Sequence, residues 1–180
     1  NITKGNNGRY WFVYGNRELY MYSDVDKRAK PFTQNLKTLP SISAVRETKD
    51  GKLWIVYQNG YLEEYDLSSG KVILASAAFK NFNKENNPYN LIIDSDGDIW
   101  LWHYSNGMFL FHPPDNSIRS FNVNSYPSRL NSNLVSQVVQ DNSGLIWVAT
   151  DHGGVNLIDK KNNFTTSYLL NDPKNPKSLS

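Results

Sequence analysis

Four tryptophans recur at nearly constant spacing along this chain of 180 residues, and each follows a glycine by three positions. They are Trp11, Trp54, Trp100 and Trp147, so successive copies lie 43, 46 and 47 residues apart. Apolar residues recur with them, directly before and after each tryptophan, nine residues upstream and eleven residues downstream. Chance would scatter such positions. An internal repeat with a period in the mid-forties indicates propeller blades or another array of stacked units.

Each repeat divides into four short segments separated by turn residues. In the fourth repeat these segments are LVSQVVQ (134–140), LIWVAT (145–150), VNLID (155–159) and FTTSYLL (164–170). Apolar runs of about five residues, broken by glycine, indicate strands and turns rather than helices. The second segment is apolar on consecutive residues, as expected of a strand whose two faces are both buried.

The sequence therefore predicts an all-β fold, namely a β-propeller fragment of about four blades, each a four-stranded antiparallel sheet. We expect the four recurring tryptophans to be buried. A flat β-sandwich is the structural alternative, but it does not explain why the whole four-strand unit recurs. The predicted blade repeats cover residues 1–38, 39–84, 85–131 and 132–180.

Composition removes several classes of function. The net charge of +2 is too small, and the 19 basic residues too scattered, to favour nucleic-acid binding. No apolar stretch reaches membrane-spanning length, and the chain does not open with a signal peptide. The absence of cysteine excludes disulfides and thiolate metal sites, and it leaves the cellular compartment undecided.

The two ends of the chain suggest a piece of a longer propeller. The last five residues, PKSLS (176–180), resemble the segment PSRLN (127–131) that leads into the fourth repeat. At the other end, only Ile2 remains of the first repeat's opening strand. Open blades expose apolar faces and unpaired edges that recruit another chain. We therefore expect self-association, with closure as a four-bladed monomer as the alternative.

The pattern V-x-x-V-x-x-D-x-x-G-x-I-W-V-x-T-x-x-G-G-V-x-x-x-D, from Val135 to Asp159, resembles the two-component-regulator propeller repeat. The tail NDPKNPKSLS (171–180) is similar to that family's link between blades. The resemblance is close in the fourth repeat and loose in the first, where Tyr14 and Gly15 replace the usual Gly-Thr. It implies the periplasmic sensor region of a hybrid two-component system in glycan-degrading bacteria. The parent chain would then be an inner-membrane sensor histidine kinase, whose own motifs are absent from this segment.

The acidic and histidine residues form no recognisable catalytic or metal motif. The segment DSDGD (94–98) carries three alternating aspartates, but it lacks the rest of a calcium loop and is typical of a polar β-turn. Glu63, Glu64 and Asp66 are expected to face solvent. His112 is expected in the turn between a third and a fourth strand. We predict no catalytic residues, no metal and no cofactor, and therefore no enzymatic activity for this segment.

The candidate ligand site lies on the rim formed by the turns between second and third strands and by the links between blades. Trp102 does not recur in the other repeats and stands beside His103 and Tyr104, so it is a candidate platform for stacking a sugar ring. A locally repacked blade interface is the alternative. Aromatic, amide and charged side chains on irregular loops suit a polyhydroxylated ligand. The candidate residues are Arg17, Tyr57, Tyr89, Trp102, His103, Tyr104, Arg129, Asp151 and His152.

Two classes of function remain open at this point. The first is a periplasmic module that senses a ligand, an oligosaccharide by the resemblance, as part of a hybrid two-component sensor. The second is a propeller scaffold for protein–protein interaction or sensor dimerisation without direct ligand binding. We expect contact with a membrane only through other parts of the parent chain. Fold alone does not choose between these classes, because propellers carry many functions.

Overall fold

The computed structural model describes residues 2–15, 17–32, 40–85, 87–175 and 178–179. Over these residues the chain contains sixteen β-strands and no helix. The first eight strands are β1 (Ile2–Lys4), β2 (Arg9–Tyr14), β3 (Glu18–Ser23), β4 (Arg28–Pro31), β5 (Ile42–Glu47), β6 (Lys52–Tyr57), β7 (Leu62–Asp66) and β8 (Lys71–Ser76). The others are β9 (Asn90–Ile93), β10 (Ile99–Trp102), β11 (Met108–His112), β12 (Ser117–Phe121), β13 (Val135–Gln140), β14 (Ile146–Thr150), β15 (Gly154–Asp159) and β16 (Thr165–Leu169).

The strands form four sheets of four antiparallel strands, and in each sheet the strands are paired in sequence order. This confirms the all-β architecture and the recurring four-strand unit. The first sheet corrects one expectation, because its opening strand is present: β1 pairs with β2, with Ile2 opposite Phe12. His112 is also placed differently from the prediction, since it is the last residue of β11 rather than a turn residue.

The chain divides into two compact units, Asn1–Leu91 and Ile92–Ser180. The first unit holds the first two sheets, and the boundary falls within β9. The core of this unit joins residues of both sheets, because hydrophobic side chains on facing strands exclude water together. Its buried members are Trp11, Leu19, Ile42, Val45, Leu53, Ile55, Tyr57 and Tyr65.

The second unit has a core of the same kind, built from strands β10 to β15 and the link before β13. Leu130, from that link, is fully buried in it. The other buried members are Trp100, Trp102, Met108, Leu110, Phe121, Val135, Val138, Ile146, Val148 and Ile158. In the residues that the structure describes, no helix is long and apolar enough to cross a membrane.

The recurring tryptophans are not buried equally. Trp11, Trp54 and Trp100 are buried, whereas Trp147 is only partly buried, so the expectation that all four would be buried is wrong for the last one. The reason lies in the register of the fourth sheet. Trp147 stands opposite Val139 and Leu157, and these three residues share a face on which Val139 is 47% exposed. The opposite face, with Val138, is buried in the core.

Charged groups tie neighbouring sheets together inside each unit. In the second unit the Trp100 indole donates to Asp94 Oδ2 at 2.9 Å, and Lys160 Nζ lies 2.8 Å from the same oxygen. Lys160, from the turn after β15, also lies 2.8 Å from Asp96 and 2.5 Å from Asp98. The DSDGD segment is therefore a turn, as predicted, with a lysine among its carboxylates. Among the described residues, no group of three or more His, Cys, Asp or Glu is arranged to hold a metal ion.

Candidate functional site

The rim of the second unit is framed by two turns and the segment between them. The turn after β10 and the turn after β14 correspond in the third and fourth sheets. The link that precedes β13 binds both, because Gly107 N donates to Asn133 O at 2.9 Å and Asp151 N donates to Leu134 O at 2.9 Å. We call residues 103–107, 133–134 and 151–153 the Tyr104 rim. These backbone hydrogen bonds hold the two turns against the link between them.

Tyr104 and Asp151 meet across this rim. The Tyr104 hydroxyl donates to Asp151 Oδ2 at 2.5 Å, and the Tyr104 side chain is 50% exposed. The hydrogen bond to the carboxylate, together with its negative charge, raises the pKa of Tyr104 above its ordinary value of 10.0. The tyrosine therefore stays protonated near neutral pH. It presents an aromatic face to solvent beside a carboxylate acceptor.

The turn after β14 is tightly constrained around His152. This exposed histidine has a φ of 61°, in the left-handed region that non-glycine residues rarely adopt. The adjacent Gly153 leaves no room for a side chain, because a Cβ there would clash with Thr150 Oγ1 and Ser132. Gly153 thus allows the turn to lie against the preceding link, at Ser132. A strained residue at an exposed turn is a common feature of binding sites.

Trp102 and the rim residue His103 have buried side chains and do not contribute to the exposed surface of this rim. Trp102 is only 2% exposed and packs in the core of the second unit, and His103 is equally buried. The expectation that Trp102 is a platform for stacking a sugar is therefore corrected. The Trp102 ring packs in the core, in agreement with the alternative of a repacked blade interface. The physical reason is strand periodicity, since Trp102 ends β10 on the same face as Trp100.

Tyr57 and Tyr89, in the first unit, are also fully buried. Tyr57 donates to Glu63 Oε2 at 2.7 Å, and Tyr65 donates to the same oxygen at 2.7 Å. Burial first, and then the bond to Glu63, raise the pKa of both tyrosines. The expectation that Glu63 and Glu64 would face solvent is wrong, because both are buried. Tyr57 thus belongs to an interior hydrogen-bond cluster and not to an exposed rim.

The remaining candidates lie apart from the Tyr104–Asp151 contact. Tyr89 donates to the Phe79 carbonyl at 3.2 Å, and burial raises its pKa to about 12. Arg17 is exposed in the turn after β2, next to Asn16, which lies outside the described residues. Arg129 is exposed, and its carbonyl accepts a hydrogen bond from Tyr168 of β16 at 2.8 Å. Of the nine candidates, the structure brings together Tyr104, Asp151 and their neighbour His152.

Sequence reasoning missed the two buried polar clusters around Glu63 and Lys160. Alternation along β7 places Glu63 on the same face as Tyr65, so the contact between these two residues could have been predicted from the sequence. The second cluster could not be predicted in this way, because Lys160 lies 66 residues from Asp94 and only the folded chain brings them together.

A model of the family described as "Two component regulator propeller" matches residues 129–152 of this chain. The match includes the link before β13, β13 itself, β14 and the turn that carries Asp151 and His152. It confirms the resemblance of the fourth repeat to that family's repeats. No curated protein sequence matches the chain.

Solved structures share the fold at low sequence identity. The extracellular domain assigned to the hybrid two component system BT4673 of B. thetaiotaomicron superimposes with a TM-score of 0.71 at 17% identity, over 95% of this chain. The corresponding domain of BT3049 from the same organism gives 0.65 at 18% identity, over 92% of this chain. PorZ, a surface component of the type-IX secretion system of Porphyromonas gingivalis, gives 0.64 at 17% identity, over 99% of this chain.

This chain spans about a quarter of each of those structures, covering 24% of the BT4673 chain, 23% of the BT3049 chain and 22% of PorZ. A WD40 β-propeller domain, that of Doa1, also superimposes, with a TM-score of 0.65 at 11% identity. The four sheets are therefore the blades of a β-propeller fold.

Proposed function

We propose that this chain is the ligand-sensing segment of the extracellular region of a hybrid two-component sensor, and that its ligand is an oligosaccharide. The observation that carries the proposal is the Tyr104–Asp151 hydrogen bond on an exposed rim, whose two turns are joined by backbone hydrogen bonds. Asp151 lies within the stretch that matches the regulator propeller repeat. The BT4673 and BT3049 extracellular domains, which share the fold, support the sensor context.

The chemistry of the Tyr104 rim suits a sugar. The half-exposed Tyr104 ring offers a face for the C–H groups of a pyranose, as aromatic side chains do in binding sites that combine apolar and polar contacts. Asp151 accepts hydrogen bonds from hydroxyl groups, and the exposed His152 adds a ring that can donate or accept. The hydrogen bond between Tyr104 and Asp151 keeps both groups in place before the ligand arrives, which lowers the entropy cost of binding.

In this proposal the segment binds and does not catalyse. The parent chain is a sensor histidine kinase of the inner membrane, and this segment lies on the periplasmic side. Binding at the rim would shift the equilibrium between two arrangements of the sensor. The size of the shift is set by how much more tightly the ligand binds one arrangement than the other.

The experiment is a calorimetric titration of the 180-residue chain with a panel of neutral and acidic oligosaccharides. Once a binding sugar is found, Tyr104→Ala should weaken its affinity about tenfold or more, because both a ring face and the hydrogen bond that positions Asp151 are lost. Tyr126→Ala is the matched control, since Tyr126 is 97% exposed on the link between the third and fourth blades. Circular dichroism checks that both variants fold. A Tyr104→Ala variant that folds and binds like the control would exclude this rim.

A second candidate function is self-association, and the open face of the fourth blade favours it. Trp147, Val139 and Leu157 share this face, and the exposure of Val139 shows that no described segment covers it fully. In the first unit the equivalent Trp11 indole is covered by the next blade, where it donates to Glu47 at 2.6 Å. We propose that a second copy of the chain packs against this face, because exposed apolar patches commonly mark protein–protein contacts.

Light scattering over a range of concentrations tests this second candidate. We expect a dimer whose dissociation constant rises in Val139→Asp, because the charge would be buried at the interface. Val25→Asp is the matched control, since Val25 is exposed in the turn between β3 and β4. A chain that stays monomeric at high concentration, or a dimer unaffected by Val139→Asp, would contradict this candidate.

A further inference from the structure

A cleft opens between the first strands of the first and second blades, inside the first unit. β1 and β5 are edge strands of their sheets, and both line it. Its volume of about 440 Å³ lies within the range of about 300–1,000 Å³ that is typical of small-ligand sites. Apolar side chains of β1, β2 and β5 form part of the wall. The polar lining residues are Thr3, Lys4, Ser43, Arg46 and Asn90.

Arg46 is the central charged group of this cleft. Its Nη1 donates to Thr3 Oγ1 at 3.0 Å and to the Val45 carbonyl at 2.8 Å, and both acceptors are neutral. Among the described residues, no carboxylate forms an ion pair with it. Burial lowers the pKa of Arg46 below its ordinary value of 12.5. A partly buried cation without a counterion is unfavourable, and an anion in the cleft would offset that cost.

The repeat shows that this arginine is not a packing requirement. Counted from the recurring tryptophan, the same position holds Thr3 in the first blade, Ile92 in the third and Val139 in the fourth. A long guanidinium therefore stands where the other blades place a smaller uncharged side chain. Arginine at such a position suits recognition of a planar oxyanion, because its N–H groups form a fork that matches two oxygens.

Ser43 provides a second, independent observation. It is the extra residue of a β-bulge in β5, between Ile42 and Ala44, and bulges often re-aim a side chain beside a site. Its hydroxyl oxygen is buried and has no hydrogen-bond partner among the described residues. The fourth blade has the same bulge, and there Ser136 Oγ donates to the Ala149 carbonyl at 3.1 Å. The Ser43 hydroxyl thus lacks the partner that its counterpart has.

We infer that this cleft is a binding site for an oxyanion group carried by a small polar ligand, with the carboxylate of an acidic sugar as the best match. Arg46 provides the forked donor, Lys4 a second positive charge, and Ser43 and Thr3 hydroxyl groups. In the part of the chain that the structure describes, no Asp or Glu lines the cleft to repel an anion. The apolar wall leaves room for a ring beside the carboxylate. A sulfate ester on a sugar shares the relevant chemistry.

This site is separate from the Tyr104 rim, since all its lining residues belong to the first unit. The choice of an acidic sugar rests on the proposed function, whereas the anion site itself does not. The two proposals can therefore fail separately. Loss of oligosaccharide binding in Tyr104→Ala concerns the rim, and the behaviour of Arg46 and Ser43 variants concerns the cleft.

The test is a calorimetric titration of the full chain with glucuronate, glucose and glucose 6-sulfate, with inorganic sulfate as a competitor. We expect glucuronate to bind at least about tenfold more tightly than glucose, and sulfate to compete, because the anionic group carries the recognition. Binding of glucose 6-sulfate as tight as that of glucuronate assigns the site to oxyanions in general. Equal binding of glucose and glucuronate, or no binding of either anionic sugar, would overturn the proposal.

Variants locate the binding. Arg46→Gln should weaken glucuronate binding by at least about tenfold. Ser43→Ala removes a hydroxyl that makes no hydrogen bond to the described residues of the free protein, and it should weaken binding by several-fold. Arg28→Gln is the matched control, because Arg28 is an exposed arginine on β4. Melting curves establish that each variant is folded. If Arg46→Gln does not fold, Ser43→Ala decides alone, and glucuronate affinity unchanged in Ser43→Ala would overturn the proposed site.

Discussion

At the residue scale, single hydrogen bonds link three of the four recurring tryptophans to a carboxylate, by two different routes. Trp147 and Trp100 donate to the aspartate six residues upstream, Asp141 and Asp94. The first blade has Gly5 at that position, and a Cβ there would clash with Glu47 of the second blade. Glu47 occupies the space and accepts the Trp11 indole instead. The same contact is thus made within a blade in one case and between blades in the other.

Lys160 pairs with three aspartates in the second unit, so its loss should lower stability substantially. Although burial lowers its pKa, hydrogen bonds to Asp94, Asp96 and Asp98 raise the pKa above its ordinary value. Lys160→Met would remove the lysine that pairs with the buried Asp94, and it would leave the buried Asp98 with His112 as its partner. Removing one partner of a buried pair usually costs about 3–5 kcal/mol. We expect a loss near the lower end, since Asp96 is exposed.

Urea denaturation measures this loss, and Lys161→Met is the matched control, because Lys161 is an exposed lysine in the same turn. A free energy of unfolding in Lys160→Met that equals the control value would show that the three aspartates do not depend on Lys160.

His112 should make stability depend on pH. Its Nδ1 lies 2.5 Å from Asp98 Oδ1, and this hydrogen bond raises the pKa of His112 above 6.5, with Asp115 adding to the effect and Lys160 and burial opposing it. A pKa raised in the folded state stabilises the fold fully below pH 6.5. This contribution is lost as the pH rises through the folded-state value.

The midpoint temperature of thermal unfolding should therefore decrease as the pH rises from about 5 to about 8.5, and His112→Asn should remove this decrease. His152→Asn is the control, because that exposed histidine lies in a turn far along the chain from Asp98. A decrease that persists unchanged in His112→Asn would assign it to another group.

Strands and turns at the element scale were largely readable from the sequence. The four segments predicted for the fourth repeat overlap β13 to β16, because apolar periodicity and glycine punctuation are local signals. Side-chain direction at strand ends was less readable. Tyr57 and Trp102 were expected on a rim, yet each is the last residue of a strand and keeps the inward direction set two residues earlier. The Tyr104–Asp151 contact joins two such turns and was predicted only as a shared rim.

Gly107 tests how tightly the turn after β10 is built. It has a φ of 70°, and a Cβ there would clash with the Phe121 carbonyl oxygen. Gly97 has a similar positive φ of 88°, but a Cβ there would meet nothing within 4 Å. Gly97→Ala therefore reports backbone strain alone, about 1 kcal/mol. Gly107→Ala adds the clash and should cost at least about 2 kcal/mol in denaturant unfolding. Equal losses in the free energy of unfolding would mean that the turn after β10 can shift to accommodate the added methyl group at no cost.

The tryptophan series tests blade packing in the same way. Trp100→Ala should cost about 3–5 kcal/mol, as large truncations in a core do. Trp147→Ala should cost clearly less, because its ring is only partly buried. Chemical denaturation of the two variants measures both values. Equal losses would show that Trp147 is packed as fully as the other copies, for example through self-association at the working concentration.

The molecule as a whole combines a repeated scaffold with sites that break the repeat. The repeat alone predicted the propeller fold, since identical positions recur in every blade. The sites could not be predicted in this way, because they depend on residues that differ between blades, such as Arg46, Tyr104 and Asp151. Arg46 was detectable in the sequence as a charge at a repeat position that is uncharged in the other three blades. The bulge at Ser43 became visible only in the fold.

Backbone amide spectra of the isotopically labelled chain, recorded during titration with a panel of oligosaccharides, test most directly the claim that it senses a sugar at the Tyr104 rim. The account predicts that a binding sugar shifts the amide signals of Tyr104, Gly107, Asp151 and His152, which the hydrogen-bonded frame holds together. A panel that shifts none of these signals, or a bound sugar whose shifts fall only on other parts of the chain, would contradict it.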